Sequence, residues 1–180
     1  YNLMSAVGAV HLLTGLKLEE VAATMDNFAG VSGRMEQVCQ VPNVIVDFAH
    51  TPDGMQQVLN ALKEKELLVV FGAGGDRDVS KRPMMGRVAA SLAKRVYITS
   101  DNPRNEDPDA IVNDILSGIE DQTNVMVELN RRKAIEMALD EQGDEEVVVI
   151  LGKGDESHQI IYGERFPFDD REVVRELLNI

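Results

Sequence analysis

From Met35 to the end, short blocks of consecutive apolar residues alternate with stretches in which apolar residues recur every three or four positions. Leu67 to Phe71, Arg95 to Thr99 and Val147 to Leu151 are blocks of the first kind, the pattern of strands buried on both faces. Met55, Val58, Leu59 and Leu62 recur with helical spacing behind Thr51-Pro52, an N-cap followed by a first-turn proline. The pattern further predicts helices from about Pro83 to Ala93, Pro108 to Ile119, Arg131 to Leu139 and Arg171 to Leu178. Met35 to Cys39 and Val44 to Phe48 suit an edge hairpin around Pro42-Asn43. Val125 to Val127 adds a short strand, and Ile160 to Tyr162 with Arg165 to Phe168 a closing hairpin turning at Gly163-Glu164. Strand, helix and strand at this spacing imply right-handed crossovers. The fold class is therefore α/β, a three-layer sandwich with a mostly parallel sheet and helices on both faces.

Ahead of this alternation, Asn2 to Thr14 and Leu18 to Phe28 read as two helices separated by Gly15, and Gly30-Val31-Ser32-Gly33 breaks the pattern. A start at Tyr1 in mid-helix suggests a piece of something longer, with a domain boundary near Ser32 to Arg34.

Three loops leave the carboxyl ends of strands, the rim where open α/β sheets bind ligands. They are Gly72 to Arg77, Asp101 to Arg104 and Gly152 to Glu156, so Arg77, Arg104, Lys153 and Glu156 are expected to converge. Asp101 and Asn102 offer acceptors, Arg104 a fork of donors for a carboxylate, and Pro103 stiffness between them. Such a loop suits a molecule carrying both an ammonium and a carboxylate, although Asn-Pro also initiates ordinary turns. The glycine loop is neither a dinucleotide fingerprint, because Arg77 stands where the third glycine belongs, nor a Walker loop, which occurs nowhere in the chain. Arg77, Lys81, Arg82 and Arg87 read equally well as an anion site or a solvated helix face. Asp47 and His50 close a strand, where they could meet a ribose and a base or simply form a turn.

Composition narrows the field. The formal charge of -13 argues against nucleic acid. No apolar run approaches the ~20 residues of a membrane span. Cys39 is the only cysteine, which excludes an internal disulfide and leaves a buried, inert thiol as the simplest expectation. The methionines, Met84 and Met85 included, read as core fillers. No trio of His, Cys and carboxylates has metal-ligand spacing.

Five motifs then stand in order: Gly33-Arg34-Met35-Glu36; Val46 to Asp53; Gly74-Gly75-Asp76-Arg77-Asp78 with Lys81-Arg82-Pro83; Asp101-Asn102-Pro103-Arg104; and Gly152-Lys153-Gly154. In this the chain resembles the Mur ligases, and Asp-Asn-Pro-Arg resembles the form that adds meso-diaminopimelate. The resemblance implies that residues 34 to 180 are a Rossmann-like amino-acid-binding C-terminal domain and residues 1 to 33 the last helices of a central ATPase domain. It implies that Arg77, Asp101, Asn102, Pro103, Arg104, Gly152 and Glu156 hold meso-diaminopimelate, and that Arg34, Asp47 and His50 contact ATP. The family's ATP and Mg2+ are bound mainly by the central domain, and its UDP-MurNAc-dipeptide by domains outside this chain. No catalytic residue or metal ligand is expected within the chain, which alone would be silent. A cytoplasmic monomer without membrane insertion is expected. The chain departs from the family at Asp155, where relatives carry histidine, and at Phe48, where tyrosine is commoner. A folylpolyglutamate-synthetase-like ligase domain and a non-catalytic Rossmann-like binding module are the alternatives.

Overall fold

The computed structural model describes residues 2–28 and 30–180; Tyr1, on which the expectation of a piece cut in mid-helix depends, lies outside them. The chain divides into two compact units, Tyr1–Gly30 and Val31–Ile180. In the first, α1 (Asn2–Thr14) ends where the Gly15 N–H donates to the His11 carbonyl at 2.9 Å. The second helix is shorter than its apolar pattern predicts. It ends as α2 (Leu18–Ala23), and Thr24–Asn27 continues as a single 3-10 turn. The Thr24 hydroxyl donates to the Val21 carbonyl at 2.7 Å, the local back-bond by which threonine competes with helix continuation.

In the second unit, the sheet contains β1 (Glu36–Cys39), β2 (Asn43–Asp47), β3 (Glu66–Phe71), β4 (Arg95–Ile98), β5 (Val125–Val127) and β6 (Glu146–Leu151). Its order is β1-β2-β6-β3-β4-β5, with only the β1–β2 pair antiparallel. The two central strands, β3 and β6, bury every residue after their leading glutamates. That burial is why they read as uninterrupted apolar blocks. The connecting helices are α3 (Pro52–Ala61), α4 (Lys81–Leu92), α5 (Pro108–Leu116) and α6 (Arg131–Glu141), and α7 (Asp170–Leu178) closes the unit. Met55, Leu59, Met85, Ala89, Ile111 and Ile115 of α3, α4 and α5 pack on one face of the sheet. Ala134, Ile135, Ala138, Val173 and Val174 of α6 and α7 pack on the other. Each large side chain so buried contributes about 1.5–3 kcal/mol of transfer free energy.

Because the crossover through α6 returns β6 to a place between β2 and β3, the sheet has a switch point there. The carboxyl ends of β2, β6, β3 and β4 therefore share one rim, the place where this architecture leaves a crevice. The helix starts on that side are capped as their sequences require. Thr51 Oγ1 accepts from the Gly54 N–H at 3.2 Å, and the Asp107 side chain accepts from the Asp109 N–H at 3.1 Å.

Several local expectations need correction. α4 starts at Lys81 rather than Pro83, because proline is tolerated anywhere in a first turn. The hairpin of β7 (His158–Ile161) and β8 (Glu164–Pro167) turns at Tyr162-Gly163, one residue earlier than expected. Both turn residues take positive φ, 48° and 79°, as a two-residue connection matched to strand twist demands. The hairpin is a separate two-stranded sheet. Met84 is half exposed rather than a core filler, because the buried face of α4 is carried by Arg82, Met85, Gly86 and Ala89. Cys39 is only half-buried at the sheet edge and its thiol donates to the Val41 carbonyl. Among the described residues no helix is long and apolar enough to cross a membrane.

Candidate functional site

The rim holds a cavity of about 320 Å³. Arg77, Asp101, Asn102, Arg104, Gly152 and Glu156 line it, together with His50, so residues up to 106 positions apart in sequence meet there. Three predicted residues stand elsewhere. Pro103, Arg34 and Asp47 are not in the lining.

The Asp101–Arg104 loop is fixed from three directions. Gly75 lies so close that a Cβ on it would stand 1.9 Å from the Pro103 carbonyl oxygen, and only glycine fits there. The Gly75 N–H donates to the Asn102 carbonyl at 2.9 Å, and Arg104 Nη1 donates to the Gly75 carbonyl at 2.7 Å. From the other side the hairpin seizes the backbone of Arg104. Its N–H donates to the Ile160 carbonyl at 2.9 Å, and its carbonyl accepts from the Tyr162 N–H at 2.6 Å. Arg104 is thereby held at φ 52°, a left-handed conformation that a non-glycine residue adopts only when its surroundings impose it.

Arg82 locks the third side. For Arg82 the structure supports neither an anion site nor a solvated helix face. Its guanidinium is buried and donates to Glu106 at 2.8 and 2.9 Å, to Asp114 at 2.9 Å and to the Gly74 carbonyl at 3.1 Å. Arg82 therefore ties the glycine loop to the Asp101–Arg104 loop, and Glu106 also accepts from the Asp76 N–H. Arg77 and Lys81 remain exposed at the cavity mouth, while Arg87 lies outside it.

Within the cavity the polar groups are unequally engaged. Asn102 Nδ2 donates to Glu156 Oε2 at 2.9 Å, and Asn102 Oδ1 accepts from the Ile160 N–H at 2.9 Å. Lys153, wholly buried beneath them, donates to the His158 carbonyl at 2.6 Å, to Glu156 Oε2 at 3.2 Å and to Asn102 Oδ1 at 3.4 Å. Burial works to raise the Glu156 carboxyl. The hydrogen bond from Asn102 and the Lys153 ammonium outweigh it and hold Glu156 below the usual carboxylate range. Asp101 goes the other way. Burial pushes it above that range against the pull of Arg131 and Lys153, and its carboxyl group meets no hydrogen-bond donor among the described residues. Behind this loop, Arg131 and Asp170 form a fully buried two-pronged pair at 2.7 and 2.8 Å, and Arg131 Nη2 holds the Leu151 carbonyl at 3.0 Å.

The residues at the end of β2 present a different surface. Asp47 is buried, and its two oxygens accept from the Met35 and Ala49 N–H groups, both at 2.7 Å. Arg34 is exposed and lies over the Phe48 ring, 4.4 Å from its centroid, while His50 meets that ring edge-on. Gly33 places Arg34 there. At φ 66°, with a would-be Cβ 2.1 Å from the Asp155 nitrogen, it lets the chain pass against the Gly154–Asp155 backbone. Among the described residues no group of three or more His, Cys, Asp and Glu side chains could hold a metal ion.

Lys153, expected to converge on the rim with Arg77, Arg104 and Glu156, is buried beneath the cavity and does not line it. Glu106 and the β7–β8 hairpin are not among the expected site residues, since nothing local to either points to the Asp101–Arg104 loop.

Residues 33–154 match the family "Mur ligase, glutamate ligase domain". The chain is 57% identical over 175 residues to a UDP-N-acetylmuramoyl-L-alanyl-D-glutamate–2,6-diaminopimelate ligase of Helicobacter hepaticus, covering 97% of this chain and 38% of that protein. It is 50% identical to the Helicobacter pylori ligase of the same name, covering 98% of this chain and 39% of that protein. A solved structure of a ligase with this name superposes with a TM-score of 0.78 at 39% identity, over 99% of this chain and 37% of that one. A folylpolyglutamate synthase of Mycobacterium tuberculosis shares the fold, with a TM-score of 0.67 at 21% identity, over 97% of this chain and 38% of that one. The chain thus spans about two fifths of the length of the curated relatives it matches. With the family match covering most of its length and landing on the loops that build the crevice, the chain belongs to the Mur ligase family.

Proposed function

We propose that this chain is the C-terminal, amino-acid-binding part of the ATP-dependent ligase that adds meso-diaminopimelate to UDP-MurNAc-L-Ala-D-Glu in peptidoglycan synthesis. Residues 34 to 180 receive the amino acid, and residues 1 to 33 are the last helices of the preceding ATPase domain. In the reaction ATP transfers its terminal phosphoryl group to the carboxylate of the nucleotide-linked dipeptide. The amine of meso-diaminopimelate then attacks the acyl carbon, the C–N bond forms as the C–O bond to phosphate breaks, and the amine gives up a proton. The enzyme works in the cytoplasm as a monomer.

The observation that carries this reading is the juxtaposition, in one cavity, of a guanidinium, an amide N–H and a carboxylate: Arg104, Asn102 and Glu156. One end of meso-diaminopimelate bears a carboxylate and an ammonium on the same carbon, and these are the charges such a trio pairs. Arg104 takes the carboxylate with the N–H groups not given to Gly75, Asn102 adds a donor, and Glu156 takes the ammonium. Arg77 and Asp101 complete the lining, Gly152 leaves room beside Asp101, and Pro103 shapes the loop from behind. Glutamate, the amino acid of folylpolyglutamate synthases, has no second ammonium for Glu156, which disfavours that alternative.

Arg34, Asp47 and His50 meet ATP from the side, when the domains close over it and exclude water. Their arrangement fits a supporting role. Arg34 is exposed and can turn toward phosphate, whereas Asp47 has already given one lone pair of each oxygen to the backbone. The triphosphate cradle and the Mg2+ ligands belong to the part of the ligase outside this chain.

Isothermal titration tests the reading. The chain is expected to bind meso-diaminopimelate and to lose roughly 2–5 kcal/mol of that binding in Arg104→Ala, with lysine no better than the variant's ligand. Equal binding by parent and Arg104→Ala would sink the assignment. ATP turnover by the chain alone would sink the division of labour.

A further inference from the structure

Lys153 is completely enclosed, yet its ammonium has three acceptors for its three protons: the His158 carbonyl, Glu156 Oε2 and Asn102 Oδ1. It has no proton left for a ligand and does not line the cavity. What it does is decide how two cavity residues face. Asn102 Oδ1 is turned toward two donors, Lys153 Nζ and the Ile160 N–H, and its Nδ2 toward the acceptor Glu156. Flipping the amide would set its NH2 against an ammonium and an N–H, and its oxygen against a carboxylate. The unflipped amide keeps one Nδ2 proton for the cavity. Glu156 Oε2 is claimed by Asn102 and Lys153, so the carboxylate offers the cavity Oε1, which has no partner among the described residues.

We propose that Lys153 is a positioning residue that sets the polarity of the crevice, making Asn102 a donor and Glu156 an ionised acceptor, and so confers the demand for an ammonium beside the distal carboxylate. This rests on the function proposed above and adds to it a residue outside the cavity that governs recognition of the second amino group. The depressed titration of Glu156 agrees with the geometry.

The test uses the full-length ligase and two amine substrates, meso-diaminopimelate and L-2-aminopimelate, which keeps the distal carboxylate and lacks the distal amine. The readout is the ratio of their kcat/KM values. In Lys153→Met the preference for diaminopimelate is expected to fall by about tenfold or more, through KM for the amine, while KM for ATP stays within about threefold. An equal loss on both substrates, with the ratio unchanged, marks a merely structural lysine and overturns the proposal. Should Lys153→Met fail to fold, Glu156→Gln is compared with Lys153→Met/Glu156→Gln, in which the buried pair is neutralised together. The same reduced ratio in both supports the proposal, because Lys153 then acts through Glu156; a further independent drop in the double variant refutes it. If the parent ligase forms no amide with either amine, the proposed function has failed instead.

Discussion

The two sides of the rim are built on opposite principles. Around Asn102, Lys153 and Glu156 the charges are buried or half-buried and cross-bonded, with the Arg131–Asp170 pair behind them. Around Arg34, Phe48 and His50 the charges are exposed and rest on one aromatic ring. A buried polar network is costly unless fully satisfied, and once satisfied it is rigid. The first side is accordingly rigid, as the binding proposed above requires. The second has few fixed contacts to lose.

The contrast can be broken most forcefully at its buried end. Arg131→Met leaves Asp170 as an uncompensated charge in the interior and is expected to destabilise the chain by about 3–5 kcal/mol, read from urea denaturation midpoints. Arg131→Met/Asp170→Leu should recover most of that loss. If the double variant is no better than the single, the cost lies in packing rather than in the orphaned charge.

A smaller effect sharpens the comparison through pH. Asp101 titrates above its unfolded value of about 3.9, so the stability it contributes is complete below that pH and drains away as pH rises through the raised folded value. At neutral pH the upward shift of Asp101 therefore counts against folding. Asp101→Asn should melt at a higher temperature than the parent at pH 7, with the gap closing toward pH 4. A gap independent of pH would show that folding leaves the titration of Asp101 unshifted. Stability given up at such a position is a common cost of a binding site.

The least effect is expected on the exposed side. Arg34→Ala removes one cation–π contact and should shift stability by no more than about 0.5–1 kcal/mol in the same denaturation assay. A loss as large as that of Arg131→Met would mean that both sides are equally locked.

These contrasts also mark what could be read along the chain. The Asp101–Arg104 loop was legible because its meaning is local: an apolar strand runs into it, a capped helix leaves it, and its donors and acceptors are adjacent. The same window that held Arg77 and Lys81 held Arg82, yet only the first two stayed accessible. A guanidinium becomes a strut when carboxylates from elsewhere, here Glu106 and Asp114, close on it. Met84 went the opposite way, from expected core to surface, since one turn of α4 offers the sheet only one face.

By itself the sequence determined the alternation of strands and helices, the parallel sheet and the three loops carrying the candidate chemistry, because apolar periodicity and turn residues act over a few positions. Tertiary structure alone decided which charges are spent and which are offered. Lys153 donates to an asparagine 51 residues away and to a hairpin carbonyl, and Arg104 owes its backbone conformation to that same hairpin. Such commitments depend on burial and on partners brought together by the switch in strand order, and no short stretch of chain encodes them.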